Sequence, residues 1–360
     1  MSSALSKRFA ATALAAFALI LAWAPVAPGA AVPAGEGQTT LKLSPGLYGK
    51  LRGSDVRLVK LRPGKVQGRT ATMPVSSGTL DAPEAIADIA HEGGFKLRGP
   101  QRSVALRKLV LDIPAKQLRG KIGGRNLTIA SLPKVGGAPD GFGARIAVPT
   151  LKLTRSAALA LNRALGLDGV FVGGRSLGTI SSLVQPQTVT IAHGMIALGG
   201  EASILAKLES QGVDLGLWGT SSRFGEGSPP VFLFEVASGM LGPDASTGLI
   251  NGESGLTLQR PQPNQDLLLV TPTVQLGPEG VLSAGLSALS GANLATGTIA
   301  TLDTGAATTR IRFGSRLELT DVKAIATGFL TDRLNATFAP PTPFAAGETL
   351  GELNLVLYTQ

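Results

Sequence analysis

Only two histidines, His91 and His193, and two tyrosines, Tyr48 and Tyr358, occur in 360 residues, and there is no cysteine. Without a thiol the chain has no disulfide, no thiolate metal ligand and no cysteine nucleophile. His193 and Met195 are residue types that hold iron, yet at this spacing on a strand they face one side and cannot grip a metal from opposite faces. Two histidines alone also leave a structural zinc short of ligands. His91 stands just before Gly93-Gly94, where a turn histidine is expected. There is no phosphate-binding glycine loop or dinucleotide fingerprint, so the sequence predicts a protein that is not an enzyme.

The chemistry that the residue types do support is attraction of negative charge. Arg57, Lys60, Arg62, Lys65 and Arg69 form one cluster, and Lys96, Arg98, Arg102, Arg107 and Lys108 form another. If the two stretches are neighbouring strands, they make one positive face. Residues 31–180 hold 23 Lys and Arg against 9 Asp and Glu, a balance of +14, whereas residues 181–360 hold 8 against 15, a balance of −7. The basic half is expected to attract an anionic cell-wall polymer, a membrane surface or its own acidic sister half. Nucleic acid is not expected, because no aromatic side chains interleave with the cations for base stacking.

These residues need elements to position them, and the composition points to short strands. Glycine numbers 47, proline 23 and aromatic residues only 4%, so many turns separate strands whose core is aliphatic. The sequence predicts a mainly β protein of two tandem antiparallel β-sandwich domains, each with one or two short helices. Residues 1–31 read as an export signal: Lys7 and Arg8 precede an apolar run from Phe9 to Trp23, then small residues up to Ala31. That run is too short for a spanning helix. The expected location is therefore secreted, with attachment to the cell wall as one outcome.

Self-comparison divides the rest into a basic domain over 38–184 and an acidic one over 188–360. Phe171-x-x-Gly174-x-x-Leu177-Gly178 recurs as Phe344-x-x-Gly347-x-x-Leu350-Gly351. Tyr48 and its neighbours align with Leu205, and His91 with Gly252. Leu151-Lys152-Leu153-Thr154 aligns with Leu317-Glu318-Leu319-Thr320, which predicts threonine-capped helices at Arg155 to Leu165 and Asp321 to Leu330. Phe95 and Leu97 alternate with Lys96 and Arg98, the period of a half-buried strand. Residues 78–81 read as a turn, and 136–141 and 261–265 as loops.

The Gly78-Thr79-Leu80-Asp81 segment, His91-x-Gly93-Gly94-Phe95-x-Leu97, the strand from Val104 to Asp112 and the helix Ala157 to Leu165 together resemble the HtaA-type domain of secreted and surface proteins of actinobacteria. The likeness covers Thr40 to Ile180 and, more weakly, Thr188 to Tyr358. It implies a β-sandwich with small helices and, in its best-known members, a haem receptor in which a tyrosine oxygen holds the iron and a histidine bonds to that tyrosine. Carried onto this chain, the haem positions would be Tyr48 and His91. Tyr48 stands in the matching helix, slightly off the family tyrosine's place, and the family histidine falls near Pro100. The resemblance thus implies an HtaA-like binding protein whose basic face, represented by Arg57, Lys60, Arg62, Lys96, Arg98 and Arg102, meets an anionic partner, or alternatively a haem-uptake module.

Overall fold

The computed structural model describes residues 31–224, 229–262, 264–289 and 294–360. The expected export signal lies outside them except for Ala31. The chain divides into two compact units. The body of one ends at Val189, and the other runs from Thr190 to Gln360 apart from residues 313–315.

The first unit begins with β1 (Val32–Leu43), α1 (Pro45–Gly53), β2 (Arg57–Leu61), β3 (Lys65–Gln67), β4 (Thr70–Asp81), β5 (Ile86–His91) and β6 (Gly94–Arg98). It continues with β7 (Ser103–Asp112), β8 (Gln117–Ile122), β9 (Arg125–Asp140), β10 (Gly143–Leu153), α2 (Arg155–Leu165) and β11 (Ser176–Pro186). Neighbour order is β7-β5-β4-β1-β11-β10-β9-β8, and β8 pairs back onto β7, so these eight strands close into a barrel. Strand β6 continues the sheet outward from β7, and β2 forms its edge. A barrel of eight strands is just narrow enough for side chains to fill. Along β10, for example, Ala144, Ile146 and Val148 are buried in alternation with exposed Arg145 and Ala147.

The second unit repeats the plan with β12 (Val189–Gly200), α3 (Ala202–Ser210), β13 (Asp214–Trp218), β14 (Ser222–Phe224), β15 (Val231–Leu241), β16 (Gly248–Gly252) and β17 (Gly255–Arg260). Then come β18 (Gln265–Leu276), β19 (Gly280–Ser287), β20 (Ala295–Asp303), β21 (Thr308–Arg312), β22 (Arg316–Ala326), α4 (Gly328–Phe338) and β23 (Thr349–Thr359). Its closed path is β18-β16-β15-β12-β23-β22-β20-β19 and back to β18. The expected mainly β, antiparallel, two-domain architecture is therefore present, with each sandwich closed into a barrel.

The repeated glycine motif has a physical explanation in both units. Asn162 on α2 donates from Nδ2 to the Phe171 carbonyl at 2.9 Å and accepts from the Phe171 N–H at 3.0 Å. Asn335 on α4 holds Phe344 by the same two bonds, at 2.9 and 2.8 Å. The closing strand then needs a residue without a side chain. A Cβ on Gly178 would lie 2.1 Å from the Lys42 carbonyl oxygen, and one on Gly351 would lie 1.6 Å from that of Gly199.

Three local expectations are corrected. The helix expected at Asp321 to Leu330 begins instead at Gly328, and Thr320 lies in β22 paired with Thr308. The apolar alternation does not stop at Thr320: Val322, Ala324 and Ala326 carry it inward, past a bulge at Asp321 with φ of 64°. Thr327 is the true counterpart of Thr154, because each hydroxyl donates to a strand carbonyl, of Thr298 and Thr128 respectively. Residues 136–140, expected as loop, belong to β9, where Gly136 pairs with Ala147 and Gly137 with Ile146. Backbone pairing needs no side chain, which is why a glycine pair can lie in a strand. Residues 78–81 are likewise strand, with Gly78 paired to Ile89.

Candidate functional site

Tyr48 sits on α1, which Ser44 caps by accepting from the Leu47 N–H at 3.3 Å, with Pro45 opening the helix. Its ring is half-buried against the first core. The hydroxyl makes no hydrogen bond to another described residue.

His91 ends β5 and is buried, 5% exposed. Its Nδ1 lies 2.9 Å from the Leu109 carbonyl oxygen and its Nε2 lies 2.6 Å from Thr39 Oγ1, which is 2.7 Å from Ser182 Oγ. A carbonyl only accepts, so in the neutral ring Nδ1 carries the proton. Nε2 then accepts from Thr39, and Thr39 accepts from Ser182. Burial lowers the His91 pKa, opposed in part by the bond to Leu109. Sequence reasoning missed this chain because Thr39 and Ser182 are distant in sequence and carry no local signal.

The basic residues divide by parity. Strand β2 pairs with β6, setting Arg57 opposite Arg98 and Val59 opposite Lys96. Strand β6 pairs with β7, and β7 with β8, so Gly94, Arg107 and Lys121 form one row. Directly paired residues share a face. Arg57, Lys96, Arg98, Arg107 and Lys121 therefore lie on the face opposite the buried Phe95, Leu97, Val104 and Leu106. Lys60 pairs with Phe95 and falls on the other face. Arg62 follows β2 in a turn, and Arg102 lies in the turn before β7, beside the Gly166 that ends α2. A cation there complements the negative end of the helix dipole.

A hollow of about 410 Å³ adjoins this face, lined by Leu61, Arg62, Ser76, His91, Glu92, Gly93, Arg107 and Lys108. In the second unit His193 stacks on Tyr358 at 4.7 Å between ring centres, and Arg316 lies over the same ring. Among the described residues no group of three or more His, Asp or Glu side chains is arranged to hold a metal. None of the described helices is long and apolar enough to cross a membrane.

No protein-family model and no curated protein matches the chain. Among solved structures it is similar to the C-terminal domain of HtaA from Corynebacterium glutamicum, at 13% identity and a TM-score of 0.37, over 48% of this chain and 99% of that one. It is also similar to the haem-binding protein HtaB from the same organism, at 17% identity and a TM-score of 0.32, over 48% of this chain and 96% of that one.

A haem held by Tyr48 with His91 as its partner needs those side chains in one hydrogen-bonded pair. His91 is committed elsewhere, with both nitrogens bonded inside the barrel. Tyr48 is not among the residues that line the hollow at His91. The pair does not fit a haem, whereas the hydroxyl of Tyr48 has no hydrogen-bond partner among the described residues.

Proposed function

We propose that this is a secreted, non-enzymatic binding protein of the cell surface whose first unit holds an anionic cell-wall polymer on the outer face of β2, β6 and β7. The carrying observation is the strand register. It gathers Arg57, Lys96, Arg98, Arg107 and Lys121 on one face, where no paired position is a carboxylate. None of these five forms an ion pair among the described residues. Unpaired cations on a sheet, about 7 Å apart along a strand, suit a partner with repeated charges. A polymer is favoured over a membrane because the exposed large apolar residues between 31 and 189, namely Ile86, Leu159, Val172 and Leu183, all lie on other elements than β2, β6 and β7. Surface binding to lipid draws on apolar insertion as well as charge.

The test is retention of the full chain on isolated cell walls. Retention at low salt that falls as salt rises, and that Arg57→Ser with Arg98→Ser abolishes, supports the reading. Retention indifferent to salt, or none at low salt, refutes it.

A second reading is haem binding through Tyr48 alone, favoured by its hydroxyl making no hydrogen bond among the described residues. Phenolate oxygen suits ferric iron. Hemin added to the purified chain would give a shifted Soret band that Tyr48→Phe removes. An unchanged spectrum ends that reading.

A further inference from the structure

The two units provide an internal control on which residues the fold itself requires. Trp218 pairs with Gly255 as Leu61 pairs with Gly94, and Val236 pairs with Gly252 as Val75 pairs with His91. Leu256 pairs with Leu269 as Phe95 pairs with Leu106. Counting on from these pairs, Arg107 corresponds to Val270 and Lys108 to Thr271. Lys108 and Thr271 mark the same β-bulge, with φ of 49° and 47°, where the register of each barrel shifts. The backbone device is thus common to both units. A bulge re-aims side chains, and only in the first unit does it carry cations.

The remaining lining follows the same rule. Arg62 corresponds to Gly219, Ser76 to Ala237 and His91 to Gly252, whereas Glu92 is kept as Glu253. Glu92 and Glu253 each donate their backbone N–H to the preceding strand, to Pro74 and Glu235. Beneath the hollow, Thr39 and Ser182 are paired as Ile196 and Leu355 are in the second unit. A Cβ on Gly252 would lie 3.1 Å from Ile196 Cδ1, so the second barrel is filled by hydrocarbon where the first holds its polar chain. Neither the cations nor the polar chain is needed to build this barrel.

We propose that the hollow bounded by Arg62, Arg107 and Lys108 binds a phosphate group of the anionic polymer. The proposal rests on the reading above and gives that face a point of recognition. Three cations against the single carboxylate of Glu92 leave the lining net positive, +3 − 1 = +2 with His91 neutral. Arg62 and Arg107 offer planar forks for phosphate oxygens, Lys108 a point charge and Ser76 a hydroxyl donor. Gly93, with φ of 76°, has space for no side chain: a Cβ there would meet the Leu61 carbonyl oxygen at 2.7 Å. Arg107 belongs to both, and the concavity distinguishes this site from the rest of the sheet face, which offers charge without enclosure.

The experiment is calorimetric titration of the full chain with inorganic phosphate, with chloride holding ionic strength constant. Saturable binding is expected, weakened about tenfold or more by Arg107→Val with Lys108→Thr, since each lost charge-assisted bond is of that order. Those are the residues that the same backbone accepts in the second unit, so the variant should fold. Arg57→Ser with Arg98→Ser should leave phosphate affinity within about twofold, because screened charges outside the hollow act weakly. Parallel arms use poly(glycerol phosphate) and phosphatidylglycerol vesicles, and free phosphate should compete with the polymer. No saturable phosphate binding, equal binding by the Val/Thr variant, or binding to vesicles and not to polymer overturns the proposal. Polymer binding untouched by Arg57→Ser with Arg98→Ser would instead refute the sheet-face reading, while phosphate binding in the hollow would still stand.

Discussion

His91 couples the first barrel to pH. Its folded pKa is depressed by burial, whereas the unfolded chain titrates at about 6.5. Below that pH the unfolded chain takes up a proton that the folded barrel refuses, so stability falls as pH drops through this window until the folded ring protonates as well. Above it His91 contributes no slope. The difference in melting temperature between wild type and His91→Gln should therefore be constant above about pH 7 and shrink between about pH 6.5 and 5. A constant difference across that range would show that the ring is not held neutral. Asn162 makes a second prediction at this scale. Asn162→Ala leaves the Phe171 N–H and carbonyl unpaired and should cost about 2 kcal/mol, with Asn162→Asp costing no less, since its second carboxylate oxygen would face the Phe171 carbonyl oxygen. Urea denaturation measures both.

At the scale of elements, the closing strand depends on a close approach of two backbones. Gly178→Ala would force a methyl within 2.1 Å of the Lys42 oxygen at φ of 157° and should cost about 2–4 kcal/mol. Gly136→Ala is the control: its Cβ would meet nothing nearer than 3.9 Å, so its effect should stay within about 0.5 kcal/mol. Equal losses would mean that strand glycines matter here only through chain entropy. Phe95→Ala, which empties a site 2% exposed, should cost about 3–5 kcal/mol. Much of this was readable in advance. Alternation marked β6 as half-buried, and Thr154 and Gly166 bracket α2 at the expected ends. The helix α4 was not, because Leu-x-Leu-Thr is also a strand pattern and nothing local distinguishes Thr320 from Thr327. The adjacency of the two basic stretches stood only as a condition, because β3, β4 and β5 separate β2 from β6 in the chain, and the face of each cation depends on register. Lys60 is therefore on the wrong side, and Arg62 and Arg102 lie in turns. The chain from His91 to Ser182 was illegible, since its members are separated by 52 and 143 residues and meet only once the barrel closes.

Across the whole molecule the charge is unevenly compensated. Residues 31–180 carry 23 cations and 9 carboxylates. Among the described residues there, ion pairs join only Arg119 to Asp88 and Asp112, and Arg145 to Asp140. Like-charge repulsion in that unit should exceed what these partly exposed pairs contribute. Raising salt from about 10 to 150 mM shortens the screening length from roughly 30 to 8 Å, which relieves repulsion among cations on the sheet face. The melting temperature of the first unit should rise by about 2–5 °C over that range, as expected for a relief near 1 kcal/mol. The second unit, with Lys207 paired to Glu348 and both Arg312 and Arg316 paired to Glu318, should shift less. Trp218 lies in the second unit, so its fluorescence can follow that transition while circular dichroism follows both. Phosphate at matched ionic strength should raise the first transition beyond the chloride value, because a ligand of the folded state adds stability that screening does not. A first transition that falls with salt would show that its few ion pairs outweigh the repulsion, and the cationic face would then be compensated rather than open to a partner.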